Sequence, residues 1–388
     1  MTNQYTLYGI EASLYTARAR SYMRKNGVPF VEVVPGSQEF LTEIVPTIGR
    51  WMMPVIKTPS GEIIQDGADI IDHFDQAGFS KIGVYPEDPQ LLVIAHVFEL
   101  FGAQGLLRAA MHYRWNFDEI NLPFIRDSFG DLAPSGIPAE GREQVFLQAS
   151  GRMRKATEAL GVNEETAAQI EQSYEEFLLL MNAHLETYPY LLGGHATIAD
   201  YGLIGAMYAH LGRDPVPLQL MQTKAPRVFR WVERMNMAEM SLDQTQVKSG
   251  TDLIDGDAIP RTLGDLLSFI AIEFMPEIAA HVEFANNWLD EHPEVTTGTS
   301  TKDKVMRGPI GSAQFAWRGL EISSWVLPYR FYLLGRLQTA FEERTAQSQD
   351  KIRSIMAELG LEDLLTMRTK RPILRVDNHE AWGELVSA

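Results

Sequence analysis

The chain has no cysteine among its 388 residues. That excludes disulfides, thiolate metal sites and every mechanism built on a protein thiol. Any sulfur nucleophile must arrive with a substrate. Basic residues are also scarce: 34 Lys and Arg stand against 51 Asp and Glu, a net charge of -17. A phosphate backbone selects basic faces, so this balance argues against a nucleic-acid partner. It equally disfavours anionic membrane surfaces. Its plain meaning is solubility and mutual repulsion. No run approaches the roughly 18 apolar residues of a membrane span. The opening MTNQYTLYGIEAS lacks the basic start and apolar centre of a signal peptide. A cytoplasmic protein with no membrane partner is expected. There is no internal repeat and no low-complexity tract.

What is present is ordinary globular material, 45% hydrophobic and 22% charged, at a length that suggests two or three domains. The first eighty or so residues alternate. TLYGI and VPFVEVV read as strands, separated by a helix, TARARSYMRKNG, that Asn26-Gly27 closes. MPVIKT and EIIQ form a hairpin around Pro59-Ser60-Gly61, and DGADIIDHFDQAG is a short helix. This order makes a small α/β unit. From Leu91 to about Asn236 the apolar residues recur at helical spacing. Beyond Met237, IPRTLGDLLSFIAIEFMPEIAAHVEFANNWLDEHP reads as helix with a break or fresh start at Pro276. VTTGTSTKDKVMRGPIGS is a polar loop, either a lid or simply mobile. WVLPYRFYLLGRLQTAFEER and QDKIRSIMAELG look helical, and PILRV reads as an edge strand.

Four short stretches bear on chemistry, each with a bland reading beside it. In WMMPVIKTPSGEIIQDGADIIDHF, Pro54 heads an apolar strand, a place where proline is tolerated at an edge or in the cis form. A cis bond there turns the backbone N–H and C=O of Met53 outward, free to pair with an extended peptide. Gln65, Asp66 and Gly67 open the next helix, where free N–H groups and the positive dipole end attract a carboxylate; equally, Asp66 is an ordinary N-cap. In SLYT, a hydroxyl beside a helix N-terminus either donates to a ligand thiolate, lowering its pKa from near 8.5, or caps the helix. Ser13 and Thr16 both fit the cap, and Tyr8 and Tyr15 compete for the donor role. In LLGGHATIADYGLIGAMYAHL, Thr197 and Asp200 form a capping box that nucleates a buried helix.

Together these stretches resemble the glutathione S-transferase family. LYGIEASLYTARARSYMRKNGVPFVEV is similar to the family's opening, and MPVIKTPSGEIIQDGADIIDHF to its cis-proline strand, hairpin and glutamyl-binding helix start. LLGGHATIADYGLIGAMYAHL and APRVFRWVERM resemble the core of its helical second domain. The resemblance covers about 5–235. The remainder looks like the extension of larger bacterial members.

The resemblance implies a thioredoxin-like α/β domain over 1–85, an all-α domain over 86–240 and a mostly helical extension over 241–388 packed on the second domain. It implies a cytosolic glutathione transferase acting in detoxification, with glutathione as co-substrate, an apolar electrophile as second substrate, no metal and a homodimer. Ser13 would be the thiol-activating hydroxyl, with Tyr15 its competitor. Met53, ahead of cis Pro54, would pair with the cysteinyl part of glutathione. Gln65, Asp66 and Gly67 would face its γ-glutamyl end. Here the sequence departs from the family, which usually has Ser or Thr after the acidic residue. Gly67 keeps the N–H and loses the hydroxyl, worth roughly 1.5–3 kcal/mol toward a charged group. The alternative is therefore a non-catalytic binding or interaction module on the same scaffold. Arg108, His112, Tyr113 and Trp115 are candidates for the second-substrate pocket, or else core. His96 and Glu99 have a spacing that metal ligands use in bundles, but a second Glu-x-x-His is missing.

Overall fold

Tyr5–Tyr8 (β1) and Phe30–Val33 (β2) run parallel, joined by the helix Leu14–Lys25 (α1). A short helix, Val45–Ile48 (α2), leads into Val55–Lys57 (β3) and Ile63–Gln65 (β4), and Gly67–Gln76 (α3) closes the unit. The sheet order is β2-β1-β3-β4, with β3 antiparallel to both neighbours. This is the expected thioredoxin-like arrangement. The computed structural model describes residues 4–80, 82–134, 136–238 and 251–386.

The helical part follows: Pro89–Leu100 (α4), Leu107–Trp115 (α5), Asp118–Gly130 (α6), Ala139–Ala159 (α7), Glu164–His184 (α8), Ile198–Ala209 (α9), Pro215–Lys224 (α10) and Pro226–Met235 (α11). One π-helical turn, Phe101–Gly105, links α4 to α5, so Pro89–Trp115 is a continuous helical stretch. Contrary to the expectation that nothing approaches a membrane span, this stretch is long and apolar enough for one by length and composition, yet it is almost wholly buried inside the protein. It is the central core helix. Helix α9 crosses it closely, because a Cβ on Gly102 would lie 2.5 Å from the Gly202 backbone and a Cβ on Gly202 would lie 2.4 Å from Glu99 Cα. Only glycine fits there. The capping box at α9 forms as expected: Asp200 takes hydrogen bonds from Thr197 N, Leu191 N and Trp231 Nε1.

The extension comprises Arg261–Glu291 (α12), Gly311–Trp317 (β5), Leu320–Val326 (β6), Pro328–Glu342 (α13), Ala346–Glu358 (α14), Ile373–Val376 (β7) and His379–Trp382 (β8). The start expected for it, at 241, lies outside the described residues. Three expectations need correction. Pro276 neither breaks nor restarts its helix: α12 is continuous across it. The carbonyl that proline leaves without a donor belongs to Ile272, whose residue is 58% exposed, so water can take that bond. The helix expected from Trp325 starts instead at Pro328, since Trp325 and Val326 belong to a hairpin of β5 and β6. The expected edge strand is one half of a second hairpin, β7–β8.

The core does not divide at the extension. One cluster of buried apolar side chains runs from Leu7 in β1 through Phe98 in α4 to Leu334 in α13 and Trp382 in β8. Two buried ionic networks reinforce it. Glu99 on α4 receives Arg18 from α1, Arg336 from α13 at 3.4 Å and His96 at 2.6 Å. Burial opposes its charge, but Arg336 and Arg18 hold the carboxyl well below the ordinary carboxylate range. Glu277 on α12 receives Arg108 from α5 at 2.7 Å and Arg330 from α13 at 2.9 Å. Every buried charge in these networks has an opposite partner, the condition for keeping it inside.

Candidate active site

Ser13 sits at the N-cap of α1, where its Oγ accepts from Thr16 N at 3.2 Å. Both readings of this residue are therefore compatible: the lone pair caps, and the hydroxyl proton stays available to a ligand. No acidic residue occupies the first turn of α1, so the positive end of its dipole is not neutralised from within. The strand register brings Met53 alongside. Tyr8 pairs with Val55 across β1 and β3, and the same register continued two residues sets Ile10 opposite Met53. Ser13 N then bonds back to Ile10 O at 3.1 Å. The Met53–Pro54 peptide is cis. Neither the N–H nor the C=O of Met53 has a hydrogen-bond partner among the described residues, and its side chain is half-buried against an apolar cluster that includes Ile10, Ala12 and Leu14.

Of the two tyrosines, Tyr8 turns away from this place. It packs with Phe40, Ile44 and Val55 on the far side of the sheet, fully buried. Tyr15 stays 37% exposed. Desolvation, with Asp66 adding, pushes its phenol up to about 12, so it remains a protonated donor at neutral pH.

The other end of the groove belongs to Asp66. The residue caps α3, taking a bond from Ala68 N to Oδ1 at 2.8 Å, and its backbone has φ 99°. An L-residue held in that region costs on the order of 1–3 kcal/mol and marks functional positions. Its backbone N bonds Pro54 O at 3.3 Å, which fixes Asp66 one residue's spacing from Met53. Sequence reasoning missed what surrounds it. Tyr329 from α13 donates its hydroxyl to Asp66 Oδ1 at 2.9 Å. Asn378, in the turn between β7 and β8, accepts from Gln65 N at 2.8 Å. Arg375 on β7 donates to the carbonyl of Gln65 at 2.8 Å and to its side chain at 2.7 Å, and pairs with Asp69 at 3.0 Å. Arg50 is held by Glu380 of β8 at 2.7 Å and also reaches Gln65 at 2.8 Å. Burial, with Asp66 adding to it against Arg375, lifts the Asp69 carboxyl to about 6. Beside Gly67 there remains a cavity of about 10 Å³ lined by Tyr15, Arg18, Asp66 and Tyr329, room for about one water.

The four candidates for a second-substrate pocket are core side chains in this structure. Arg108, His112, Tyr113 and Trp115 are all at most 4% exposed. Arg108 serves the Glu277 network, His112 bonds Glu171 at 2.9 Å, Tyr113 stacks on Phe117, and Trp115 packs edge-on to Phe129. Met53, Val34 and Leu132 are partly buried against one apolar cluster that includes Leu107, Met111 and Trp115. Among the described residues no cluster has the composition of a metal site.

A thioredoxin-like sheet is thus joined to a helical domain, with a helix-capping hydroxyl and a cis-proline strand end on the sheet. Two family models match in this order. The glutathione S-transferase N-terminal domain matches over 7–80 and the glutathione S-transferase C-terminal domain over 132–239. The chain belongs to the glutathione S-transferase family. Solved structures similar to it include the β-etherase LigF from Sphingobium sp. strain SYK-6, at 15% identity and a TM-score of 0.43, covering 60% of this chain and 94% of that one. Another is the glutathione transferase GSTFuA3 from Phanerochaete chrysosporium, at 12% identity and a TM-score of 0.41, covering 62% and 98%. A third, from Methylobacterium radiotolerans and in complex with glutathione sulfonate, has 15% identity and a TM-score of 0.34, covering 65% and 98%. Among curated proteins none matches the chain.

Proposed function

We propose that this chain is a glutathione transferase-like enzyme that binds a small cysteinyl thiol and activates it for attack on an apolar electrophile. One observation carries the reading: the Ser13 hydroxyl, on the unneutralised N-terminus of α1, follows Ile10, which the β1–β3 register sets opposite Met53, and the Met53 N–H and C=O have no partner among the described residues. Those two groups suit the amide of a cysteinyl residue laid antiparallel to them. The hydroxyl and the dipole favour the thiolate over the thiol. Lowering a thiol pKa from about 8.5 by two units raises the thiolate fraction at neutral pH by roughly ten- to thirtyfold. The electrophile would approach over Val34, Met53 and Leu132, an apolar face suited to a planar or aliphatic group. Substitution, addition and ether opening share this first step.

The saturation of Gln65 by Arg375 and Asn378 favours a second reading, a module that has lost its thiol ligand and kept the scaffold. A fluorogenic electrophile assayed with a panel of small thiols separates the two. The enzyme reading expects turnover whose kcat/KM falls roughly ten- to thirtyfold in Ser13→Ala, with the apparent thiol pKa returning toward about 8.5. No Ser13-dependent turnover with any thiol would leave the module.

A further inference from the structure

The glutamyl end of the groove is not vacant and waiting for a ligand; α13 and the β7–β8 hairpin of the same chain reach into it. Of the three residues expected to face a γ-glutamyl arm, Gln65 and Asp66 already have partners from the extension, and the small space beside Gly67 is walled in part by Tyr329. Gln65 N–H is taken by Asn378, Gln65 C=O and side chain by Arg375, Asp66 Oδ1 by Tyr329, and Arg50 by Glu380. The remaining cavity of about 10 Å³ compares with the roughly 300 Å³ or more of an ordinary small-molecule site. The occupying segment is no loose flap. All four residues of β8 are buried, and Trp382 is 1% exposed, stacked with Trp288 and Phe331 in the main core. Swinging the hairpin aside would pull the core open.

On the reading that Ser13 and Met53 hold a cysteinyl thiol, we infer that the extension has shortened the groove, and that the ligand is a cysteinyl compound without a γ-glutamyl arm, such as the dipeptide cysteinylglycine. Charge fits as well as length. Asp66 N bonds Pro54 O at 3.3 Å, at the end of the β3–β4 ladder away from its turn, so a ligand nitrogen paired with the Met53 carbonyl would lie on the Asp66 side. Asp66 Oδ1 is engaged by Ala68 N and Tyr329, whereas Oδ2 has no hydrogen bond among the described residues. In the tripeptide that nitrogen is a neutral amide bearing the arm. In the shorter thiol it is an ammonium, which a carboxylate receives. Tyr329, Arg375 and Asn378 are thus specificity-determining residues supplied by the extension.

The test is turnover of the fluorogenic electrophile by the full chain with cysteinylglycine and with glutathione, each corrected for its reaction without protein. The expected result is a kcat/KM at least tenfold higher for cysteinylglycine, dependent on Ser13. Arg375→Ala combined with Asn378→Ala, verified as folded by near-ultraviolet circular dichroism, should narrow that ratio by restoring glutathione. Equal or better use of glutathione by the unaltered chain overturns the shortened groove while leaving the thiol reading intact. Absence of Ser13-dependent turnover with either thiol overturns both.

Discussion

Position 67 has little room for the side chain that relatives place there. A Cβ would lie 3.2 Å from Arg18 Cδ and 3.4 Å from the Tyr15 carbonyl, and Arg18 cannot retreat because Glu99 holds its other end. Gly67→Ser should therefore cost about 1–3 kcal/mol of unfolding free energy by overpacking, read as a lower urea midpoint, and bring no gain in glutathione binding by calorimetry. The lost hydroxyl has a counterpart in Tyr329, at the same carboxylate. Ser13, Met53 and Asp66 were legible in the sequence because each belongs to a local motif: a cap, a strand end, a helix start. Tyr329, Arg375 and Asn378 were not, since no short-range pattern ties a residue on β7 or α13 to a helix cap some 260–310 positions earlier. Arg108 and Trp115 could be read either way for a related reason, because aromatic and basic residues on a core helix look alike whether they face a cleft or an internal carboxylate.

Among the elements, α4 shows how the extension is fastened. Helix α13 lies on it, and the carboxylate of Glu99, fully buried, balances Arg18 from one side and Arg336 from the other. Glu99→Gln leaves both guanidiniums undercompensated inside the protein. The expected loss is about 3–5 kcal/mol, measured by urea unfolding, well beyond that of a surface pair such as Lys370–Asp290. The β5–β6 hairpin was readable and passed over. Ala313, Phe315 and Trp317 alternate inward against Ile322, Ser324 and Val326. Its turn, Arg318-Gly319, has positive φ at both residues, the geometry that Asn-Gly usually supplies. Arginine obscures that signal. It is there for its guanidinium, which bonds Glu273 at 2.6 Å and Glu176 at 2.9 Å.

For the whole molecule, the continuous core predicts that a chain ended after Asn236 does not fold normally. It would uncover the apolar surface of α4 that α13 and α14 now bury, so aggregation, dye binding to exposed apolar surface and loss of near-ultraviolet dichroism are expected. A homodimer, if the chain forms one, must use faces other than those the extension covers on α3 and α4. Acid should also weaken the fold. Burial lowers His184 to about 4 and His281 to about 3, the latter helped by Arg330. The unfolded chain takes up protons near 6.5 that the folded one refuses, so stability is intact above that pH and falls as pH drops from 6.5 toward 4. For fully buried His184 the loss is about 3 kcal/mol. Asp69, raised to about 6, works the other way and offsets part of it below pH 6. A urea midpoint that declines between pH 7 and pH 4.5, with the decline reduced in His184→Gln, is the expected record.

The position of Trp382 and its strand in the order of synthesis has a last consequence. Tyr329, Arg375 and Asn378 are translated long after Ser13 and Met53. Tyr329 is made about 50 positions before Asn378, so on the shortened-groove reading the narrow site is complete only once the β7–β8 hairpin has closed into the core.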